Sequence, residues 1–178
     1  WQAQQYVIPE DQEDEPGLNG VCIVNENKVW AVGEFGTILT TDDGGATWSL
    51  ATNVSGNPLY DVLFMEDGRI GFTVGAEGQV FVTEDAGKIW RSRSIEINLH
   101  LFSLSYLNGT FYVCGQDGVF ASLDDLEEGL WRVNKTGVYT WLDSVYFITP
   151  ETGFAVGGRG RILKTMDGGK IWVKLSGR

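Results

Sequence analysis

Two adjacent aspartates are the first residues in this chain whose types and spacing could do chemistry. Asp42 and Asp43 lie in a glycine-rich stretch, GEFGTILTTDDGGATW, residues 33–48. Paired carboxylates can act as a general acid and base or bind a metal ion. The same turn recurs along the chain, however, so its aspartates belong to separate repeats and would not converge on one substrate. We therefore interpret Asp43 as a turn residue that stabilises the fold.

Other catalytic groups are sparse. His100 is the single histidine, so no multi-histidine metal site can be built. A sialidase-like glycosidase would need an arginine triad on separate repeats. Only Arg159 and Arg161 fall near the edge of the repeats where such a triad would lie. We predict no catalytic residue, no metal ion and no cofactor.

Composition narrows the class of protein and its partners. The 178 residues carry a net charge of −11, which disfavours nucleic acids and anionic membrane surfaces. No apolar run approaches the ~20 residues of a membrane span, so we predict no membrane insertion. The 24 glycines and seven tryptophans favour an all-β fold. Cys22 and Cys114 lie in apolar segments and are predicted to be buried free thiols.

Four copies of one repeat organise the chain. Three columns recur every 40 to 42 residues: tryptophans at 48, 90, 131 and 172, glycines at 33, 75, 115 and 157, and leucines at 18, 59, 101 and 142. Each repeat contains four short apolar segments, and the first alternates with a period of two. This pattern predicts a β-propeller of four-stranded antiparallel blades. The predicted blades are about 18–57, 58–99, 100–140 and 141–178.

The first residues do not fit a complete repeat. Residues 1–8, WQAQQYVI, look like the tryptophan strand of an earlier blade, and we predict an extra outer strand there. Residues 9–17 are predicted to form an acidic surface loop. Four blades could close within the chain. Alternatively, neighbouring blades or a second copy in a homodimer would complete the ring.

The turn after each third strand resembles the Asp-box, or BNR repeat, with the pattern Ser/Thr-x-Asp-x-Gly-x-Thr-Trp. In such a turn the aspartate accepts hydrogen bonds from backbone N–H groups, the glycine takes a positive φ, and the tryptophan packs between sheets. The matching residues are Thr41, Asp43, Gly45, Trp48, Thr83, Asp85, Gly87, Trp90, Ser122, Asp124, Trp131, Thr165, Asp167, Gly169 and Trp172. We predict structural roles for all of them.

A longer signature, best matched by residues 31–48 and 155–172, is similar to the photosystem II assembly/stability factor family of propellers. The resemblance implies a seven-bladed, non-catalytic assembly factor in the lumen or periplasm, with basic surface patches. We therefore expect an extracytoplasmic location. This chain differs from the family pattern in having four repeats and a strongly acidic balance.

The blade edge opposite the Asp-box turns collects the variable residues. We predict that this edge binds a protein or glycan partner. The candidate residues are Glu34, Phe35, Tyr60, Glu77, His100, Phe102, Asp117, Trp141, Asp143 and Arg159. Solvated loops with aromatic residues capping the core are the structural alternative. The predicted function is a non-catalytic binding or assembly module. The alternatives are part of a sialidase-like glycoside hydrolase, or a structural domain of a larger surface or virion protein.

Overall fold

The computed structural model describes residues 15–126 and 129–175. Within these ranges, sixteen β-strands form four four-stranded sheets, and no α-helix is present. The all-β prediction is therefore confirmed. The predicted strand at 1–8 and the larger part of the predicted loop at 9–17 lie outside the described residues.

Each sheet is built from four strands that follow one another in the chain. Sheet 1 contains β1 (Leu18–Ile23), β2 (Val29–Gly33), β3 (Thr37–Thr41) and β4 (Ser49–Asn53). Sheet 2 contains β5 (Leu59–Phe64), β6 (Gly71–Gly75), β7 (Val80–Thr83) and β8 (Arg91–Ser92). Sheet 3 contains β9 (Leu101–Leu107), β10 (Thr110–Gly115), β11 (Val119–Leu123) and β12 (Arg132–Lys135). Sheet 4 contains β13 (Leu142–Phe147), β14 (Gly153–Gly157), β15 (Arg161–Thr165) and β16 (Val173–Lys174).

All neighbouring strands within a sheet are antiparallel, and the leucine and glycine columns face each other. The pairs are Leu18 with Gly33, Leu59 with Gly75, Leu101 with Gly115, and Leu142 with Gly157. A Cβ atom at any of these glycines would overlap the carbonyl oxygen of the residue before the leucine. The glycine column therefore permits the close approach of two backbones where the first strand begins and the second strand ends.

The N-terminal unit extends to Ser94 and contains sheets 1 and 2. Its core joins Trp30, Val32 and Ile38 of sheet 1 to residues of sheet 2. The rings of Trp30 and Phe64 stack with centroids 4.8 Å apart, and Trp90 meets both rings edge-on. Such aromatic pairs add to the stabilisation that burial alone provides.

The C-terminal unit begins at Ile95 and contains sheets 3 and 4. Tyr112 and Phe147 stack with centroids 3.7 Å apart, and Trp172 packs edge-on against Phe120. Both cysteines of the chain are free thiols. Cys114 is buried as predicted, whereas Cys22 is only half-buried. Among the described residues, no helix has the length and apolar character to cross a membrane.

Candidate functional site

The Asp-turn edge comprises the turns between the third and fourth strands, at 41–48, 83–90, 123–131 and 165–172. In the first turn, Thr41 Oγ1 donates to Asp43 Oδ1 at 2.7 Å and accepts the N–H of Gly45 at 3.0 Å. The N–H of Thr47 donates to Asp43 Oδ1 at 2.9 Å. The side chains of Thr41 and Asp43 thus find their partners inside the turn.

The second and fourth turns repeat this network. Thr83 donates to Asp85, and Thr165 donates to Asp167. The backbone N–H of Gly87 donates to the Thr83 hydroxyl at 2.9 Å, and that of Gly169 donates to the Thr165 hydroxyl at 3.0 Å. The same donors and acceptors at the same spacing produce the same geometry three times.

These hydrogen bonds favour the ionised carboxylates. The hydroxyl and N–H of Thr47, together with the Thr41 hydroxyl, lower the pKa of Asp43 to about 2. The pKa of Asp85 is lowered first by the N–H of Ile89, and that of Asp167 by the N–H of Ile171. A carboxylate whose pKa is lowered by its own turn is a weak general base near neutral pH.

In the third turn, the residues that occupy the motif positions differ from those assigned from the sequence. Strand pairing places Leu123 opposite Phe111, in the position where Thr41 lies opposite Val29. Leu123 is buried like the threonines of the other turns, and Asp124 forms an ion pair with Arg132. Leu123 and Asp125, and not Ser122 and Asp124, therefore occupy the third copy of the motif. The extra residues before Trp131 had obscured this register.

The tryptophans that end these turns are not equally buried. Trp172 is buried and donates its indole N–H to the carbonyl oxygen of Gly169 at 3.2 Å. Trp48, Trp90 and Trp131 are half-buried. The adjacent aspartates also differ, because Asp42 pairs with Lys28 at 2.9 Å whereas Asp43 bonds within its turn. No group of three or more candidate metal ligands occurs among the described residues.

The loop edge comprises the 3-10 turns after each second strand and the residues that enter each first strand. The turns are Glu34–Gly36, Ala76–Gly78, Gln116–Gly118 and Gly158–Gly160. In every sheet, the first residue of the turn donates its N–H to the carbonyl oxygen before the leucine, at 2.8 to 3.0 Å. These bonds bring the two sets of predicted site residues to the same edge of each sheet.

Each 3-10 turn holds a non-glycine residue in the left-handed region. The residues are Phe35, Glu77, Asp117 and Arg159, with φ between 53° and 60°. All four side chains are exposed. This backbone region costs a residue with a Cβ atom about 1–2 kcal/mol relative to the right-handed one. Side chains are therefore displayed at positions where glycine would be less strained.

In the N-terminal unit, two of the predicted site residues are tied to the loop edge. Glu34 accepts the N–H of Gly17 at 3.0 Å, and Glu77 accepts the side-chain amide of Asn57 at 3.2 Å. Tyr60 is half-buried, and burial raises the pKa of its hydroxyl. Phe35 remains as a half-exposed apolar side chain. The acidic side chains here help to hold the loops.

In the C-terminal unit, His100 and Phe102 are half-buried neighbours with ring centroids 6.2 Å apart. The backbone N–H of His100 donates to the side-chain oxygen of Gln116 at 3.2 Å. Asp117 projects from the next position as an exposed carboxylate. At sheet 4, Trp141 and Asp143 are both exposed. The Trp141 ring lies against the backbone of Gly158, where a Cβ atom would be 2.8 Å from it.

A cavity of about 530 Å³ lies beside Arg159 at this edge. Its cationic lining consists of Arg159, Arg161 and Lys174, and its aromatic lining includes Tyr139 and Trp172. The Nε atom of Arg161 is buried and has no hydrogen-bond partner in the described part of the chain. Sequence reasoning missed Tyr139, Lys174 and the cavity itself, because residues 136–140 fold back beside β15 and β16.

No protein-family model matches the chain. The photosystem II assembly lipoprotein Ycf48 of Prochlorococcus marinus is 29% identical over 145 residues, which cover 77% of this chain and 42% of that protein. The chain is homologous to Ycf48. It spans less than half the length of this relative. The resemblance carried by the repeat signature is thereby confirmed.

Solved structures of Ycf48 support the same fold. YCF48 from Cyanidioschyzon merolae matches with a TM-score of 0.70 and 18% identity, over 94% of this chain and 58% of that one. A structure of YCF48 bound to D1 peptide matches with a TM-score of 0.56 and 17% identity, over 89% of this chain and 82% of that one. The predicted β-propeller of four-stranded antiparallel blades is confirmed.

Proposed function

We propose that this chain is a non-catalytic binding module that holds a peptide segment of a protein partner at its loop edge. The observation that carries the proposal is the repeated display of Phe35, Glu77, Asp117 and Arg159 from left-handed positions. Strained backbone positions occupied by exposed, varied side chains are typical of recognition surfaces. The structure of YCF48 bound to D1 peptide supports a peptide as the ligand.

The cavity beside Arg159 supports an acidic peptide as the ligand. Three cations, Arg159, Arg161 and Lys174, line it in a chain whose net charge is −11. Guanidinium groups bind carboxylates through directed hydrogen bonds, and the unpartnered Nε of Arg161 is a free donor. Tyr139, which is 88% exposed, supplies aromatic surface beside these donors. The preferred ligand is an acidic peptide with an apolar side chain next to its carboxylate.

The same arrangement argues against catalysis. The hydroxyls that line this cavity, such as those of Thr140 and Tyr139, would need a base to act as nucleophiles, and the described lining contains no carboxylate or histidine to supply one. The anionic aspartates with lowered pKa values lie in the Asp turns, at the other end of the third strands. An assembly factor that holds a partner without transforming it needs only such a binding edge.

We also propose that the protein acts outside the cytoplasm, because its relatives are lipoproteins.

A titration with fluorescently labelled peptide tests this function. The probes are the D1 peptide and acidic peptides selected on the protein from a random library. We expect saturable binding that weakens at least tenfold, on the order of 1.4 kcal/mol, in Arg159→Ala and Trp141→Ala. Salt should also weaken binding, because the contact is charged.

The matched control is Ile89→Ala. Ile89 is 51% exposed and Trp141 is 54% exposed, but Ile89 lies on the Asp-turn edge. The control should bind as the unchanged protein does, and all three variants should keep its Tm within a few degrees. Failure of every probe to bind, or equal losses in the control, would refute the proposal.

A further inference from the structure

The cavity beside Arg159 lies on the side of sheet 4 that faces sheet 3, within the C-terminal unit. Its lining includes Leu163 and Trp172, which pack in one cluster with Tyr112 of sheet 3. Residues 136–140, which connect the two sheets, complete the lining. The cavity is therefore formed by neighbouring elements of a single unit.

Three repeat positions are cationic in sheet 4 alone. They are the positions of Arg159, Arg161 and Lys174, and the other three sheets carry no basic residue there. The residues aligned by turn order and strand pairing are Phe35, Thr37 and Leu50 in sheet 1, Glu77, Gln79 and Ser92 in sheet 2, and Asp117, Val119 and Val133 in sheet 3. The positive charge is therefore a local feature of this cavity and not part of the repeat pattern.

The equivalent place in sheet 2 pairs a donor with an acceptor. Asn57 lies two residues before the leucine of that sheet, and its side-chain amide donates to Glu77 at 3.2 Å. In sheet 4 the same two positions hold Thr140 and Arg159. A guanidinium has replaced the carboxylate, so both positions now offer donors. An acceptor for these donors has to come from outside the cavity lining.

Donors inside the cavity are left without acceptors. Thr140 lines the cavity and is 7% exposed, and its hydroxyl forms no hydrogen bond within the described part of the chain. The Nε atom of Arg161 is buried and lacks a partner among the same residues. Neither arginine of the cavity, nor Lys174, forms an ion pair with a described residue. An anion with several acceptor oxygens would satisfy the donors and neutralise the charge together.

A phosphoryl group matches this set of donors better than a carboxylate does. A carboxylate brings one negative charge and two oxygens, whereas a phosphorylated side chain carries about −1.5 to −2 charges near pH 7 and three acceptor oxygens. Guanidinium groups bind phosphate through paired N–H donors, and an ammonium group binds it as a point charge. Two arginines, one lysine and one free hydroxyl supply more charge and more donors than a single carboxylate uses.

We propose that this cavity takes a phosphorylated side chain, so that phosphorylation of the bound peptide strengthens its association with the loop edge. The inference rests on the proposed peptide-binding function and names the acidic group that the site recognises. Arg161 and Thr140 donate to the phosphoryl oxygens from within the cavity. Arg159 and Lys174, which are exposed, neutralise its charge from the solvent side.

Three forms of one acidic peptide test this inference, with serine, phosphoserine or glutamate at the same position. Titration should show that the phosphoserine form binds at least tenfold more tightly than the serine form, with the glutamate form between them. Inorganic phosphate and acetate, compared at equal ionic strength, are the competitors. Phosphate should displace the phosphoserine form at a lower concentration than acetate does, because it carries more charge and more acceptor oxygens.

Variants of the cavity locate the effect. Lys174→Gln and Arg161→Gln should each reduce the gain from phosphorylation at least fivefold. Lys88→Gln is the matched control, since Lys88 is an exposed lysine on the Asp-turn edge and its variant has the same change in charge. The control should keep the full gain. Circular dichroism checks folding, and the exposed position of Lys174 keeps the test available if Arg161→Gln does not fold.

The outcomes separate this inference from the function on which it rests. Equal binding of the serine and phosphoserine forms would overturn the inference and leave the peptide-binding function intact. An undiminished gain from phosphorylation in Lys174→Gln would also overturn it, because the phosphoryl group would then bind elsewhere. Binding of inorganic phosphate without binding of any peptide would refute the peptide-binding function and, with it, a peptide as the source of the phosphoryl group.

Discussion

The two edges of each sheet use the left-handed backbone region in opposite ways. At the Asp-turn edge, Gly45, Gly87 and Gly169 have φ between 79° and 91°. At the loop edge, exposed side chains such as Phe35 and Arg159 occupy that region. The loop edge also repeats a left-handed glycine, at Gly36, Gly78, Gly118 and Gly160, but the residue before that glycine varies from sheet to sheet. This difference distinguishes a structural turn from a surface whose side chains are free to vary.

Crowding around the glycines explains why the Asp turns keep glycine at these positions. A Cβ atom at Gly87 would overlap the Trp30 ring, and one at Gly169 would overlap the Phe120 ring. These turns are therefore docked onto an aromatic residue of the preceding sheet in the same unit. At the loop edge, by contrast, a Cβ atom at Gly160 would meet nothing within 4 Å. Gly36 and Gly118 of the loop edge are also crowded, by the backbone of Ser55 and Val138. The sharp contrast is therefore between Gly169, which packing requires, and Gly160, which conformation alone requires.

The largest effect is expected from Gly169→Ala. The new Cβ atom is strained by φ of 87° and collides with the Phe120 ring, so the free energy of unfolding should fall by about 3–5 kcal/mol. Gly160→Ala, with φ of 65° and open space around it, should lose only about 1–2 kcal/mol. Urea denaturation of both variants measures the difference. Equal losses would show that packing does not distinguish these two glycines.

A second comparison uses the two ends of β3. The buried Thr41 hydroxyl accepts the N–H of Gly45, so Thr41→Val leaves that donor unpaired and should cost about 1–3 kcal/mol. Thr37, at the loop end, is also buried, but its hydroxyl has no hydrogen-bond partner among the described residues. Thr37→Val should therefore be neutral or stabilise by up to about 1 kcal/mol. Equal destabilisation of the two variants in thermal unfolding would contradict this reasoning.

Much of the fold follows from the sequence because several independent columns fix one register. The leucine and glycine columns mark equivalent positions in the repeats, and in the structure these positions pair in the same way, as in Leu59 with Gly75 and Leu142 with Gly157. The third turn was misaligned because Ser122 resembles the usual threonine more than Leu123 does. Only the strand pairing shows that an apolar residue has taken the buried threonine position.

The candidate site was less accessible to sequence reasoning. Position along the repeat predicts that Glu34 and Arg159 lie at the same kind of edge. It does not predict that Glu34 is tied to the N–H of Gly17 while Arg159 borders a cavity. Side-chain partners depend on connecting segments that have no repeat pattern, such as residues 136–140. For this reason the edge was predictable, whereas the cavity was not.

Acid should weaken the Asp-turn edge selectively. The pKa values of Asp43, Asp85 and Asp167 are lowered in the folded protein, that of Asp43 to about 2. A lowered folded pKa contributes stability above the unfolded value of about 3.9 and loses it as pH falls through the folded value. Stability should therefore fall between about pH 4 and pH 2.

Asp43→Asn serves as the matched variant for this pH dependence. The amide keeps the shape of the side chain but cannot titrate, so stability should be lower at neutral pH and should change less between about pH 4 and pH 2. Chemical denaturation at a series of pH values measures how steeply the free energy of unfolding depends on pH in the unchanged protein and in the variant. If the variant lost as much stability between about pH 4 and pH 2 as the unchanged protein, Asp43 would not contribute to the acid dependence of stability.

The smallest effect on stability is expected at the loop edge, in Arg159→Gly. Glycine relieves the strain at φ of 60° but adds freedom to the unfolded chain, and these effects nearly cancel. The free energy of unfolding should therefore change by less than about 0.5 kcal/mol, as at most exposed positions. Because the guanidinium is lost from the cavity, binding of acidic peptides should still fall at least tenfold. Denaturation and peptide titration on the same preparation check both results. A large loss of stability would mean that Arg159 supports the fold, and the contrast between the two edges would then fail in sheet 4.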